Sequence, residues 1–158
     1  MTSRCAVVYR QDTICLDTPR PSNDPSKTNH GGVAAIVSRH LSWKIISPLV
    51  VPTTFESTCF SVTRSSNTVV VLLIHRPSTT PITDTFFIEL SNYLEVVALY
   101  KCQIIVAGDL NIHVERRASD LHAVKLHELL DSFDCVQHFP HIPTHRDGGT
   151  LDLVIHLT

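Results

Sequence analysis

The sequence lacks the features that mark several protein classes. It has five cysteines, an odd number, and no CxxC pair, so a disulfide framework is not indicated. Its longest apolar run, Val69–Ile74, falls far short of the roughly 20 residues that a membrane-spanning helix needs. Residues Met1–Arg10 contain no apolar stretch of the kind found in secretory signals. We therefore expect a nuclear or cytoplasmic protein that is not secreted, has reduced thiols and makes no membrane contact.

Charge is also scarce. Charged residues make up 18% of the chain, and the formal net charge is -2. A net charge of this sign gives no general attraction to nucleic acid, so any contact with DNA has to come from local groups. The hydrophobic fraction of 43% is ordinary for a globular protein and too high for a disordered one. The length of 158 residues fits one domain with its own core.

The spacing of apolar residues predicts a mixture of strands and helices. Three prolines within residues 17–31 predict a loop there. Such a mixture favours a layered α/β architecture over a helix bundle. Strands are predicted from β-branched or alternating residues, and amphipathic helices from three-to-four spacing: strands at Val33–Val37, Thr58–Thr63, Thr68–Ile74, Ile104–Ala107 and Thr150–His156, and helices at Asp84–Tyr100, capped by Thr83 or Asp84, and at residues 120–133.

The clearest candidate site follows the strand Ile104–Ala107. Gly108 ends that strand, and Asp109 and Asn111 come next, two residues apart, so that on an extended chain they point to the same side. A carboxylate there can orient a water or hold Mg²⁺, and an amide can bind a phosphate oxygen without adding charge. The same residue types also favour a plain strand-to-turn junction, and that interpretation stays open.

Two further segments carry candidate polar groups. Asp152 lies among leucine and valine in a predicted strand, so its carboxylate must have a partner, face a cleft or point to solvent from an edge. His75 and Arg76 end the central strand, where Arg76 could pair with a phosphate or simply be solvated. Other acidic residues are interpreted as surface charges: Glu56, Glu115 and Asp120.

Taken in order, these segments resemble the endonuclease domains of non-LTR retrotransposon polyproteins, which belong to the endonuclease/exonuclease/phosphatase superfamily. The resemblance implies a four-layer α/β sandwich that hydrolyses phosphodiesters with Mg²⁺ or Mn²⁺. It also implies target DNA as the substrate and a reverse transcriptase domain in the full polyprotein. The likeness runs from about Thr13 to Thr158 and rests on five segments: Gly31–Val37, His75–Pro77, Ala107–Asn111, Thr144–His145 and Thr150–Val154.

The resemblance also implies a role for each matching residue. Asp109 would orient or activate the attacking water, and it is a candidate metal ligand. Asn111 would help to hold the phosphate, and Asp152 would orient a catalytic histidine. Thr150 would brace the site by hydrogen bonding. The implied phosphate-binding set is His75, Arg76 and Thr150.

The departures from the family pattern are equally informative. The family's early Asn, its metal-binding Glu and its terminal Ser-Asp-His have no counterpart in the sequence, and His75 replaces the usual Tyr. The resemblance therefore implies a partial domain over residues 1–158 that is weakly active or inactive alone, because catalytic groups act as a unit. We also expect exposed strands at Val33–Val37 and Val69–Ile74, low stability and aggregation.

Three alternatives stay open. The first is a non-catalytic nucleic-acid-binding or scaffold remnant of the same fold, which Mg²⁺-dependent cleavage would exclude. The second is a phosphatase that acts on inositol or lipid substrates. The third is a zinc site formed by His138, His141 and His145, although Pro140 and Pro143 make helical alignment of these imidazoles unfavourable.

Overall fold

The computed structural model describes residues 12–19, 32–47, 51–138, 142–145 and 148–157. These residues form three layers: a pair of helices, a six-stranded mixed sheet and a two-stranded sheet. The predicted α/β class is confirmed.

The smaller sheet pairs two antiparallel strands, β1 (Thr13–Pro19) and β2 (Gly32–Ser38). The larger sheet contains β3 (Ser42–Ile46), β4 (Glu56–Arg64), β5 (Asn67–His75), β6 (Gln103–Asp109), β7 (Cys135–Gln137) and β8 (Asp152–Leu157). Its spatial order is β3-β4-β5-β6-β8-β7, and β5 and β6 run parallel while the other neighbours run antiparallel. A parallel pair needs a crossover, which the helix α1 (Asp84–Ala98) provides.

The helices cover one face of the large sheet. Helix α1 and the second helix, α2 (Leu121–Ser132), share one apolar core with β5, β6 and β8. Alternate residues of β5 reach this core, since Val70, Leu72 and Ile74 are at most 1% exposed. The expectation that Val69–Ile74 would be exposed is therefore wrong, because β5 lies between β4 and β6 and is covered on both faces.

The small sheet covers part of the opposite face. It packs against β4 and β5 through a second apolar cluster that contains Leu16, Val37 and Phe60. Cover on both sides explains why consecutive residues of β4, Thr58 to Phe60, are all buried. Over β6, β8 and β7, the part of the chain that the structure describes supplies no comparable cover, and Val136 of β7 is 45% exposed.

Most of the predicted elements are present. Four predicted strands correspond to β2, β4, β5 and β6, and the last one begins two residues late as β8. The predicted loop at 17–31 is wrong at its start, because residues 17–19 continue β1, and residues 20–31 lie outside the described ranges. Pro19 is tolerated because β1 is an edge strand of its two-stranded sheet. Three strands were not predicted, namely β1 and the shorter strands β3 and β7.

The α2 N-terminus gives Asp120 a definite structural role. Its Oδ1 accepts hydrogen bonds from the backbone N–H groups of His122 (2.8 Å) and Ala123 (3.4 Å), so Asp120 caps the helix rather than serving only as a surface charge. For α1, Thr83 occupies the N-cap position without a side-chain cap bond.

We expect Asp120→Ala to lower the free energy of unfolding by about 1 kcal/mol, because two backbone donors lose their partner. Urea unfolding followed by circular dichroism measures this change. Glu128→Ala, at an exposed position of the same helix, is the matched control and should change stability by less than about 0.5 kcal/mol. Equal effects of the two substitutions would contradict the capping role.

Each of the four cysteines within the described ranges is a free thiol: Cys15, Cys59, Cys102 and Cys135. Burial raises the pKa of Cys59 and of Cys135 to about 11, so both are protonated near neutral pH. Of the helices that the structure describes, none is long and apolar enough to cross a membrane.

Candidate active site

Four ionisable residues stand in one row across the end of the large sheet. Glu56 is the Cα partner of His75, His75 of Asp109, and Asp109 of Asp152. Partners in neighbouring strands have their side chains about 5 Å apart and on the same face. That face is the one opposite the helices, because the adjacent Ile74 points into the helix-covered core. We call these four residues the polar row.

The Asp109 carboxylate is held by the turn that follows β6. Its Oδ1 accepts a hydrogen bond from the backbone N–H of Asn111 at 2.8 Å. Asn111 has a φ of 51°, in the left-handed region that asparagine tolerates better than most residues. The pair that sequence analysis placed on one side of an extended chain is therefore joined in a tight turn, with Asn111 beyond the end of the strand.

The Arg76 side chain holds the turn that contains Asp109 and Asn111 in place through hydrogen bonds. It is 2% exposed, and its guanidinium donates from Nε to Leu110 O (2.7 Å), from Nη2 to Asn111 O (2.8 Å) and from Nη1 to the carbonyls of Pro77 (3.2 Å) and Thr80. In return, Asn111 Nδ2 donates to Arg76 O at 2.7 Å. Four of the five guanidinium N–H groups are thus directed at backbone carbonyls.

This arrangement gives Arg76 a structural task. Burial lowers its pKa, and the nearby Asp109 carboxylate acts in the opposite direction. An arginine keeps its charge under such conditions, so the guanidinium that binds these carbonyls stays cationic. The phosphate contact expected of Arg76 stays a prediction for its one remaining N–H group.

His75 is oriented by Glu56. The Nδ1 atom lies 3.0 Å from Glu56 Oε2, and the same oxygen accepts the backbone N–H of Gly32 at 3.1 Å. The Glu56 side chain is only 13% exposed, so it is not the solvated charge that the sequence suggested. With Nδ1 bound to a carboxylate, His75 has Nε2 left for another partner, as an acceptor when neutral and as a donor when protonated.

Asp152 is exposed at the start of β8, and its backbone is held by Thr144. Thr144 Oγ1 accepts hydrogen bonds from the N–H groups of Leu151 (2.9 Å) and Asp152 (3.0 Å). The carboxylate can therefore face a cleft or a bound group while its main chain stays fixed. Asp152 is the Cα partner of Asp109 in the neighbouring strand. The orienting role expected of Asp152 stays a prediction.

Thr150 and Glu115 brace the same segment. Thr150 is 3% exposed, and its hydroxyl donates to Ile142 O at 3.2 Å. Its N–H donates to Glu115 Oε2 (3.0 Å), and Glu115 Oε1 lies 2.8 Å from His113 Nδ1. Burial by itself would raise the pKa of Glu115, but these hydrogen bonds together lower it, so the carboxylate is ionised at neutral pH. The Thr150 hydroxyl supports the loop; a contact with phosphate stays a prediction.

The chain is similar to known proteins in structure but not detectably in sequence. No protein-family model matches the sequence, and no curated protein matches it. Several solved structures do match, among them the human Nocturnin catalytic domain with bound sulfate anion, with a TM-score of 0.60 and 17% identity over 94% of this chain. Another is the endonuclease domain of TRAS1, a telomere-specific non-LTR retrotransposon, with a TM-score of 0.64 and 12% identity over 89% of this chain. The fold is of the endonuclease/exonuclease/phosphatase type.

A third neighbour, humanized D. rerio TDP2, supports the same assignment with a TM-score of 0.57 and 12% identity over 93% of this chain. This chain spans 62% of the length of the Nocturnin and TDP2 chains and 66% of the TRAS1 chain. At these identities the likeness shows the endonuclease/exonuclease/phosphatase fold alone.

The divalent metal implied by the resemblance has no complete site in the described part of the chain. No group of three or more His, Cys, Asp or Glu side chains there could hold an ion. In the polar row, Glu56 is engaged with His75 and Gly32, which leaves Asp109 and Asp152 as the available carboxylates. The described residues of the polar row therefore do not by themselves form a preformed Mg²⁺ or Mn²⁺ site.

Sequence reasoning missed two residues of this region, Glu56 and Glu115. Glu56 is 19 residues from His75, and Glu115 is 35 residues from Thr150. Contacts across such separations leave no periodic or local signal. The available clue was a glutamate at the start of a strand that pairs with the strand of His75.

Proposed function

We propose that the chain is part of a phosphodiester hydrolase that acts on DNA. The observation that carries the proposal is the strand register that sets Asp109 opposite Asp152 and beside His75. The endonuclease/exonuclease/phosphatase fold supports the same class. Within that class we infer target-site nicking for a retrotransposon polyprotein with a reverse transcriptase domain, since the TRAS1 endonuclease is among the structural neighbours.

Each residue of the row has a task in this proposal. Asp109, held by the Asn111 N–H, orients the attacking water and takes up its proton. His75, held by Glu56, donates from Nε2 to a phosphate oxygen when it is protonated. Asp152, in the neighbouring strand, would orient a catalytic histidine, as the resemblance implies. Mg²⁺ is proposed from the resemblance and, when bound, would supply charge stabilisation at the phosphate.

We predict that the chain nicks supercoiled plasmid slowly in the presence of Mg²⁺, with protein in excess over DNA. Asp109→Ala should reduce this rate by at least about 100-fold, because the group that orients the water is lost. Asp131→Ala is the matched control, since Asp131 is an exposed carboxylate that pairs with Arg117 on the surface. Nicking by Asp109→Ala at the rate of the unmodified chain would exclude hydrolysis at this site.

The second candidate is a non-catalytic module that binds nucleic acid. It is favoured by one observation, that the described residues do not assemble a metal site. Fluorescence anisotropy with a short duplex separates the two functions. Binding without nicking, in both the unmodified chain and Asp109→Ala, would support the binding module.

A further inference from the structure

We propose that His138 and His156 form a binding site for a borderline transition-metal ion, Zn²⁺, Ni²⁺ or Cu²⁺. His156 lies in β8, and His138 directly follows β7. His156 Nδ1 and His138 Nε2 are 2.8 Å apart, and the ring centroids are 4.8 Å apart with an interplanar angle of 34°. The two imidazole nitrogens therefore already face each other as hydrogen-bond partners.

The backbone fixes this pair. The N–H of His138 donates to Val154 O at 2.9 Å, which extends the β7–β8 pairing by one residue. His138 is thereby held diagonally across from His156, whose direct partner is Val136. The pair lies on the sheet face opposite the helices, where His138 is exposed and His156 half-buried. An ion can therefore reach both rings from solvent and keep water ligands.

The distances suit a metal with nitrogen ligands. Zn²⁺ binds imidazole nitrogen at about 2.0–2.1 Å, so two ligands at a tetrahedral angle lie about 3.3 Å apart. To admit the ion, the two nitrogens exchange their hydrogen bond for bonds to the metal and move about 0.5 Å further apart. Neutral imidazole suits Zn²⁺, Ni²⁺ and Cu²⁺, whereas Mg²⁺ prefers oxygen ligands. The site is therefore chemically distinct from the metal expected at the polar row.

An ion at this position would act on the candidate active site through the chain. His138 and His156 bracket the segment that contains Thr144 and Thr150, which hold the backbone around Asp152. A metal bridge between His138 and His156 would cross-link the two ends of that segment. Binding should then raise the thermal stability of the whole domain, because the ion binds the folded chain preferentially.

The test is calorimetric titration of the full chain, freed of metal by a chelator, with Zn²⁺, Ni²⁺ and Mg²⁺ in turn. We expect one Zn²⁺ or Ni²⁺ per chain, a Tm increase of several degrees at saturation and no effect of Mg²⁺ at this site. His138→Ala and His156→Ala should each weaken binding at least about 10-fold, since each removes one of two ligands. His40→Ala and His145→Ala should change the affinity by less than about 2-fold.

Two results would overturn the proposal. Absence of stoichiometric binding by the unmodified chain is one. The other is loss of binding in His145→Ala with retention in His156→Ala, which would favour the site of His138, His141 and His145; His141 lies outside the described residues. Melting curves of the metal-free variants check folding, and His156→Gln replaces any alanine variant that fails to fold. Zn²⁺-induced shifts of the His138 and His156 ring signals in NMR spectra supply an independent readout.

Discussion

Replacing Arg76 with alanine is expected to lower the free energy of unfolding by about 3–5 kcal/mol. The guanidinium donates hydrogen bonds to four backbone carbonyls in two loops, and it is almost completely buried. Its removal leaves these acceptors without their donors and opens a cavity beneath the turn of Asp109 and Asn111. For a domain of this size Tm should fall by roughly 10 °C, measured by urea and thermal unfolding followed by circular dichroism.

Two variants make this prediction specific. Arg76→Lys keeps a positive charge but cannot reach carbonyls on both loops from one ammonium group, so it should recover little of the lost stability. Arg64→Ala, at an exposed position at the end of β4, should cost less than about 0.5 kcal/mol. If Arg76→Ala is as stable as Arg64→Ala, the two loops are held by other contacts, and the hydrogen bonds of Arg76 are not a structural requirement.

The contrast between Arg76 and His75 shows what a sequence of this kind can predict. Their position at the end of a central strand was readable, because Thr68–Ile74 is a β-branched run stopped by Pro77. Which of the two side chains would be buried was not readable. That outcome depends on loops at residues 77–80 and 109–111 that fold over Arg76, and on the glutamate that β4 brings to His75.

The same limit applies to the elements themselves. Helices α1 and α2 and strands β5 and β6 carry strong periodic patterns and were predicted within a few residues. Strands β3 and β7 have five and three residues, which are too few for an alternating apolar pattern to be distinguished from the neighbouring sequence. Their pairing comes from register with longer neighbours, which is a property of the assembled sheet. The polar row was inferred in part, since strand ends were predicted but their order in the sheet was not.

Gly108→Ala adds only one methyl group, but it should lower the free energy of unfolding by at least about 3 kcal/mol. Gly108 has a φ of +144° and is the Cα partner of Ile74 in the parallel pair of β5 and β6. A Cβ there would overlap the carbonyl oxygen of Ile74 and lie 2.8 Å from its carbonyl carbon. No rotamer change relieves contact with backbone, so the two strands must separate immediately before His75 and Asp109.

Gly148→Ala distinguishes this overlap from backbone strain alone. Gly148 also has a positive φ, +86°, but no atom of the described residues lies within 4 Å of a Cβ built there. It should therefore cost only about 1–2 kcal/mol, from the left-handed backbone. Soluble yield and urea unfolding measure both variants. Similar losses of unfolding free energy in the two variants would mean that β5 and β6 can separate at no cost in stability. The close approach of the strands at Gly108 would then not be what sets the distance between His75 and Asp109.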